Sequence, residues 1–211
     1  TGPWVTPYII DPNDHNTLYA GYHDVWKTTN KGDSWTKISN FNYGSWLKSL
    51  AIAPSDNSVL YVAGSFNLWK TTNGGASWTD VTGVLSDNYP IQKIAVKSDD
   101  PNTVWVTLGG YDVHSVYQTI NGGSSWTDIS AGLPAIPAYS VVQNSQITNE
   151  VHLYLATELG VYFKNGIDNW IEYNSGLPNV STREVEIYYD ANPSNSKLRL
   201  ASWGRGLWES D

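Results

Sequence analysis

Apolar residues along this chain come in bursts of four to eight, and no stretch repeats them at the 3.6-residue spacing of a helix. The bursts recur in ordered sets. The last burst of each set carries an aromatic: Asp24-Val25-Trp26-Lys27, Asn67-Leu68-Trp69-Lys70, Ser115-Val116-Tyr117-Gln118, Gly160-Val161-Tyr162-Phe163 and Gly206-Leu207-Trp208-Glu209. Before it lies a more continuous apolar run: Leu18-Tyr19-Ala20-Gly21, Leu60-Tyr61-Val62-Ala63, Val104-Trp105-Val106-Thr107, Leu153-Tyr154-Leu155-Ala156 and Leu198-Arg199-Leu200-Ala201. Earlier still is a run that usually stops at a proline turn, as in Tyr8-Ile9-Ile10-Asp11-Pro12 and Leu50-Ala51-Ile52-Ala53-Pro54. Runs of this length, rich in Val, Ile, Thr and aromatics and punctuated by Gly, Pro, Asn and Asp, read as strands joined by turns. With one further strand after a tight turn, each set predicts a four-stranded antiparallel unit. The expected fold is all-β, a β-propeller of four-stranded blades.

The tight turn repeats most closely of all. TTNKGDSW, from Thr28 to Trp35, returns as TTNGGASW at Thr71 to Trp78 and as TINGGSSW at Thr119 to Trp126. A degraded copy, FKNGIDNW, ends at Trp170, and successive closing tryptophans stand 43, 48 and 44 residues apart. A period in the mid-forties marks one supersecondary unit repeated in an array. These octapeptides resemble the Asp-box, or BNR repeat, with its pattern Ser/Thr-x-Asp-x-Gly-x-x-Trp. Such boxes occur in sialidases, xyloglucan-cleaving glycosidases and sortilin-type receptors. The ending Ala201-Ser202-Trp203-Gly204-Arg205-Gly206-Leu207-Trp208-Glu209 is most similar to large secreted repeat proteins of Bacteroidetes-type bacteria. The third box position departs from the pattern, being Asn30, Asn73 and Asn121 instead of Asp. Either side chain can bond nearby backbone amides, so the turn survives the exchange. Gly32, Gly75 and Gly123 are expected to supply positive φ. Trp35, Trp78 and Trp126 are expected to fold over their hairpins, each covering roughly 150–250 Å², and Trp170 closes the degraded copy. All these box residues read as structural.

The repeats divide the chain, as one propeller region over residues 1–211, into blades at about 4–40, 46–83, 91–132, 139–176 and 183–211. The fifth ends after its third strand, so about five blades of a larger ring are expected, with further blades or domains of a parent protein as neighbours. There is no cysteine and no methionine. The formal net charge is −8, and the 12 Lys and Arg form no basic cluster, which counts against nucleic-acid binding and against an anionic membrane surface. No apolar run approaches the roughly 20 residues of a membrane span, so no membrane insertion is expected. The composition suits an extracellular protein, secreted or at a bacterial cell surface.

Catalytic constellations mostly fail. A sialidase gathers arginines from separate blades around a carboxylate, whereas Arg183, Arg199 and Arg205 all fall in the last unit. The four histidines (His15, His23, His114 and His152) lack metal-ligand spacing. Asp11-Pro12-Asn13-Asp14-His15-Asn16 faintly resembles a calcium loop but lacks its glycine and closing glutamate, and reads as a solvated turn. No metal or cofactor is expected. A glycosidase needs two facing carboxyl groups. Blade wiring sends Asp24, Asp87, Asp112 and Glu158 to the loop face opposite the boxes, and Asp24 and Asp112 are the candidates for catalysis, weighed against solubilising loop acids. The same face collects rings and polar groups, and the candidate ligand-binding set is Tyr22, His23, Asp24, Trp46, Phe66, Tyr111, Asp112, Trp203 and Arg205. Aromatics with charged edges suit a glycan or a protein ligand; packing between blades is the alternative for Trp46 and Trp203. Three functions follow: a non-catalytic recognition or scaffold module, a portion of a glycoside hydrolase resembling the xyloglucan-cleaving enzymes, or a sortilin-like receptor for proteins or peptides.

Overall fold

The computed structural model describes residues 2–87 and 89–210. Four sheets have four antiparallel strands each. The first comprises β1 (Tyr8–Ile10), β2 (Leu18–Gly21), β3 (Val25–Thr28) and β4 (Thr36–Lys37) in sequence order. The second repeats that order with β5 (Ser49–Ala53), β6 (Asp56–Ala63), β7 (Leu68–Thr71) and β8 (Thr79–Asp80). The third holds β9 (Ile91–Lys97), β10 (Asp100–Leu108), β11 (Val116–Thr119) and β12 (Thr127–Asp128). The fourth holds β13 (Ala138–Gln143), β14 (His152–Thr157), β15 (Gly160–Asn165) and β16 (Ile171–Glu172). A fifth sheet has three strands among the described residues: β17 (Thr182–Tyr188), β18 (Lys197–Ser202) and β19 (Gly206–Ser210). Among the described residues, helix is confined to two short 3-10 segments, Gly83–Asp87 and Pro193–Asn195.

The described residues divide into two compact units. One takes the chain up to Trp105 with Gln118–Thr127; the other takes Val106–Tyr117 and everything from Asp128 onward. In the first, Tyr19, Val25, Leu47, Leu50, Leu60, Val62 and Trp69 form a buried cluster against which Ile38, Phe41 and Trp78 pack. In the second, Ala156, Val161, Val185, Leu198 and Leu200 do the same, with Leu177 and Trp208 against them. The later half of the second strand is buried throughout in the second sheet, at Leu60, Tyr61, Val62 and Ala63. Apolar residues on both faces of such a strand are what a sheet covered on both sides requires.

The box hairpins are built alike. Asn30 Oδ1 accepts from the Ser34 amide (3.0 Å) and the Thr28 hydroxyl (2.7 Å), while Thr28 Oγ1 accepts from the Gly32 amide (3.1 Å). Asn73 with Thr71 and Asn121 with Thr119 repeat these bonds at 2.8–3.0 Å. Gly32, Gly75 and Gly123 have φ of 103°, 98° and 90°, the left-handed region that residues with a Cβ rarely adopt. In the degraded fourth box, Phe163 stands where the others have threonine and Asn169 where they have serine. Asn165 Oδ1 is accordingly buried with no hydrogen-bond partner among the described residues.

Three of the box tryptophans also reach the sheet before their own. Trp78 Nε1 donates to the Ile38 carbonyl at 2.8 Å, Trp126 Nε1 to Val81 at 2.9 Å and Trp170 Nε1 to Ile129 at 2.7 Å. Each acceptor lies three residues beyond the preceding box tryptophan, so each indole ties its hairpin to the sheet before it. A second link closes each sheet. The residue four past the tryptophan (Ser39, Thr82, Ser130 or Asn174) accepts the amide of the third strand's leading apolar residue, Val25, Leu68, Val116 or Val161.

Candidate functional site

In the first unit, Tyr22, His23, Asp24 and Trp46 line one open groove of about 640 Å³ together with Gly2, Trp26 and Lys37. The turn between β2 and β3 carries the first three, held by the Tyr22 amide donating to the Asp24 carbonyl at 2.9 Å. His23 stacks on Trp46 with ring centroids 3.8 Å apart, and its Nδ1 lies 2.9 Å from the Ser45 carbonyl. Phe66 is exposed in the corresponding turn of the next sheet but does not line this groove; its amide donates to the Tyr43 hydroxyl at 3.2 Å.

Asp24 is committed. Its carboxylate accepts from the Ser39 hydroxyl (2.8 Å) and the Phe41 amide (2.9 Å), and Lys37 Nζ lies 3.3 Å away. Partial burial would raise its pKa, yet these three donors outweigh it and hold the group below the ordinary carboxylate range. A glycosidase acid needs the opposite shift. The Asp87 side chain lies outside the described residues.

In the second unit, the Arg183 guanidinium lies over the Tyr139 ring at 4.0 Å and 5.4 Å from the Trp203 ring. Tyr139 donates its hydroxyl to Glu158 Oε2, which also accepts from Ser181 Oγ at 3.3 Å and faces Arg183 Nη2 at 4.0 Å. Burial and then the bond to Glu158 push the Tyr139 phenol up to about 12, so it remains a donor at neutral pH. Trp203 is 73% exposed and Tyr111 71%. Asp112 accepts from the amides of Val113 and His114, and Arg205 is exposed in the turn between β18 and β19. Of the sequence candidates here, Trp203 alone joins this network through a ring contact. Tyr139 was missed from the sequence, and Arg183 was considered only as an anion ligand; their meeting depends on strands 44 positions apart coming side by side. Among the described residues no group of three or more His, Asp or Glu is placed to hold a metal ion.

Comparison with known families places these repeats. The Sortilin-Vps10 family, described as "Sortilin, neurotensin receptor 3", matches residues 23–162. The chain belongs to this family. No curated protein matches it. Solved structures share its fold: a GH74 enzyme of Niastella koreensis (19% identity, TM-score 0.71, covering 96% of this chain and 37% of that one) and the GH74 xyloglucanase of Xanthomonas campestris (15%, 0.70, 96% and 38%). So does an extracellular domain ascribed to a one-component system of B. thetaiotaomicron (14%, 0.68, 99% and 27%). The chain spans under two-fifths of each of these structures. At such identities the likeness is one of fold, and that fold is blade-type, all-β propeller architecture.

Proposed function

We propose that this chain is a non-catalytic recognition module of an extracellular protein, binding a polypeptide through exposed aromatic turns. The observation that carries this reading is the contrast between rings and acids. Tyr22, Phe66, Tyr111 and Trp203 present exposed rings, whereas the carboxylates of Asp24 and Glu158 are consumed by internal donors. Exposed aromatics beside charged edges suit a binding hot spot, and Asp24, lowered by three donors, does not suit the general-acid half of a glycosidase pair. Family membership favours a polypeptide ligand, since the matching family is described as a neurotensin receptor. A glycan is the second reading, favoured by the flat exposed face of Trp203 and by a fold shared with a xyloglucanase.

A peptide library and a glycan array probed with the same labelled chain separate the two. Binding of peptides, weakened at least about tenfold by Tyr22→Ala or Trp203→Ala, supports the first reading. Binding of sugars alone supports the second. Release of reducing ends from xyloglucan, abolished by Asp24→Asn, would contradict both.

A further inference from the structure

In the second, third and fourth boxes the asparagine is followed by glycine: Asn73-Gly74, Asn121-Gly122 and Asn165-Gly166. That dipeptide has a chemistry of its own, because a glycine has no Cβ to shield its backbone nitrogen. The nitrogen attacks Cγ of the asparagine side chain. A bond forms between them, the Cγ–Nδ2 bond breaks, and ammonia leaves. Water then opens the cyclic imide to an aspartyl residue or to an isoaspartyl one, in which the main chain runs through the side-chain carbon. Closure requires Cγ and the nitrogen to come within attack distance, roughly 3–3.5 Å.

The three turns differ in whether the side chain is free to do so. Asn73 Oδ1 accepts from the Thr71 hydroxyl and the Ser77 amide, and its Nδ2 donates to Ser77 Oγ at 2.8 Å. Asn121 makes the same three bonds with Thr119 and Ser125, the last at 2.9 Å. Turning either carboxamide toward its glycine breaks all three. The fourth box has Phe163 and Asn169 in place of the two partners, and Asn165 Oδ1 is left without a bond among the described residues. The attacking nitrogens, in contrast, are held alike. Gly74 donates to the Ser58 carbonyl at 2.8 Å, Gly122 to Asn102 at 2.9 Å and Gly166 to Val151 at 2.8 Å, so this restraint cancels in the comparison. Lys70 and Asn102 crowd the open side of Gly122, whereas nothing lies within 4 Å of the place a Cβ would take at Gly166. The next residue, Ile167, is fully exposed, so water reaches the turn.

We propose that Asn165-Gly166 is a site of spontaneous deamidation in the folded protein, with water as the co-reactant, and that box bonds protect Asn73 and Asn121 from the same reaction. Conversion adds one negative charge to a chain whose formal net charge is already −8. It does so in a turn that holds Asp168, at an oxygen with no donor to receive it. An isoaspartyl linkage also lengthens the main chain between β15 and β16, where the Asp168 amide donates to the Asn165 carbonyl at 2.9 Å. The pairing of Phe163 with Ile171 and the indole bond of Trp170 to Ile129 adjoin that turn. The fourth sheet is thus the one that ages. This modification is independent of the ligand proposed above.

The test holds the whole chain folded in mildly alkaline buffer and follows the aspartyl and isoaspartyl fraction at each Asn-Gly pair by peptide-mapping mass spectrometry. Asn165 is expected to convert at least about tenfold faster than Asn73 or Asn121, since closure there breaks no side-chain bond to Oδ1. In concentrated urea, where no turn is held, the three rates are expected to converge. Two substitutions at exposed positions work in opposite directions. Ser77→Ala is expected to speed conversion of Asn73 about fivefold, and Asn169→Ser, which restores a box partner, to slow that of Asn165 by a similar factor. Equal rates in the folded chain, no conversion at Asn165, or the same lead for Asn165 in urea would overturn the assignment.

Discussion

Asn73 holds its turn with three bonds: it accepts from the Thr71 hydroxyl and the Ser77 amide, and its own amide donates to Ser77 Oγ at 2.8 Å. Asn73→Ala leaves those partners to water at an exposed turn, so a loss of about 1–2 kcal/mol in urea unfolding is expected. His114 gives a pH dependence. Its bond to Asp128, at 2.6 Å, and then the charge of that carboxylate raise its pKa above the ordinary value. A histidine raised in the folded state contributes stability that is fully present below about pH 6.5 and is lost as pH rises through its folded value. The midpoint of thermal unfolding is therefore expected to fall as pH rises above 6.5, and His114→Gln to flatten that part of the profile. Asp128 is the matching partner: burial pushes it up, but Ser130 and His114 outweigh burial and lower it.

At the scale of the hairpin, the glycines of the boxes separate into two kinds. A Cβ at Gly32 would meet nothing nearer than the Trp35 indole at 3.8 Å, so Gly32→Ala costs only the left-handed backbone, about 1–2 kcal/mol. A Cβ at Gly75 would lie 2.5 Å from Ile38 Cδ1 of the preceding sheet, and at Gly123 it would lie 2.7 Å from Val81 Cβ. Gly75→Ala and Gly123→Ala are expected to destabilise clearly more than Gly32→Ala in parallel denaturant titrations. The strands and box turns were legible in the sequence because short apolar runs bounded by turn residues and a Gly-bearing turn are local signals. The destination of each indole was not: the sequence marks a tryptophan, but the carbonyl it reaches lies 40–45 positions earlier. The capping position four residues later was equally hidden, since Ser39, Thr82, Ser130 and Asn174 share a role across three residue types.

For the molecule, the sequence candidates resolve into a patch in each unit, Tyr22 with His23 and Trp46 in one, Trp203 with Arg183 and Tyr139 in the other. Side-chain types alone nominate Asp24 as catalytic; the donors that lower its carboxyl, Ser39 and Phe41, arrive from beyond the hairpin's last strand and could not be read from them. Membership of the Sortilin-Vps10 family accounts for the repeats. What unites the scales is that the tryptophans of the second, third and fourth boxes bind their hairpins to the sheet before. Hydrogen exchange of the indole N–H groups, followed by NMR, tests this most directly. The indoles of Trp78, Trp126 and Trp170 are expected to be strongly protected, and those of Trp4 and Trp203, both exposed, to exchange at once. Rapid exchange at Trp78, Trp126 and Trp170 alike would contradict the account.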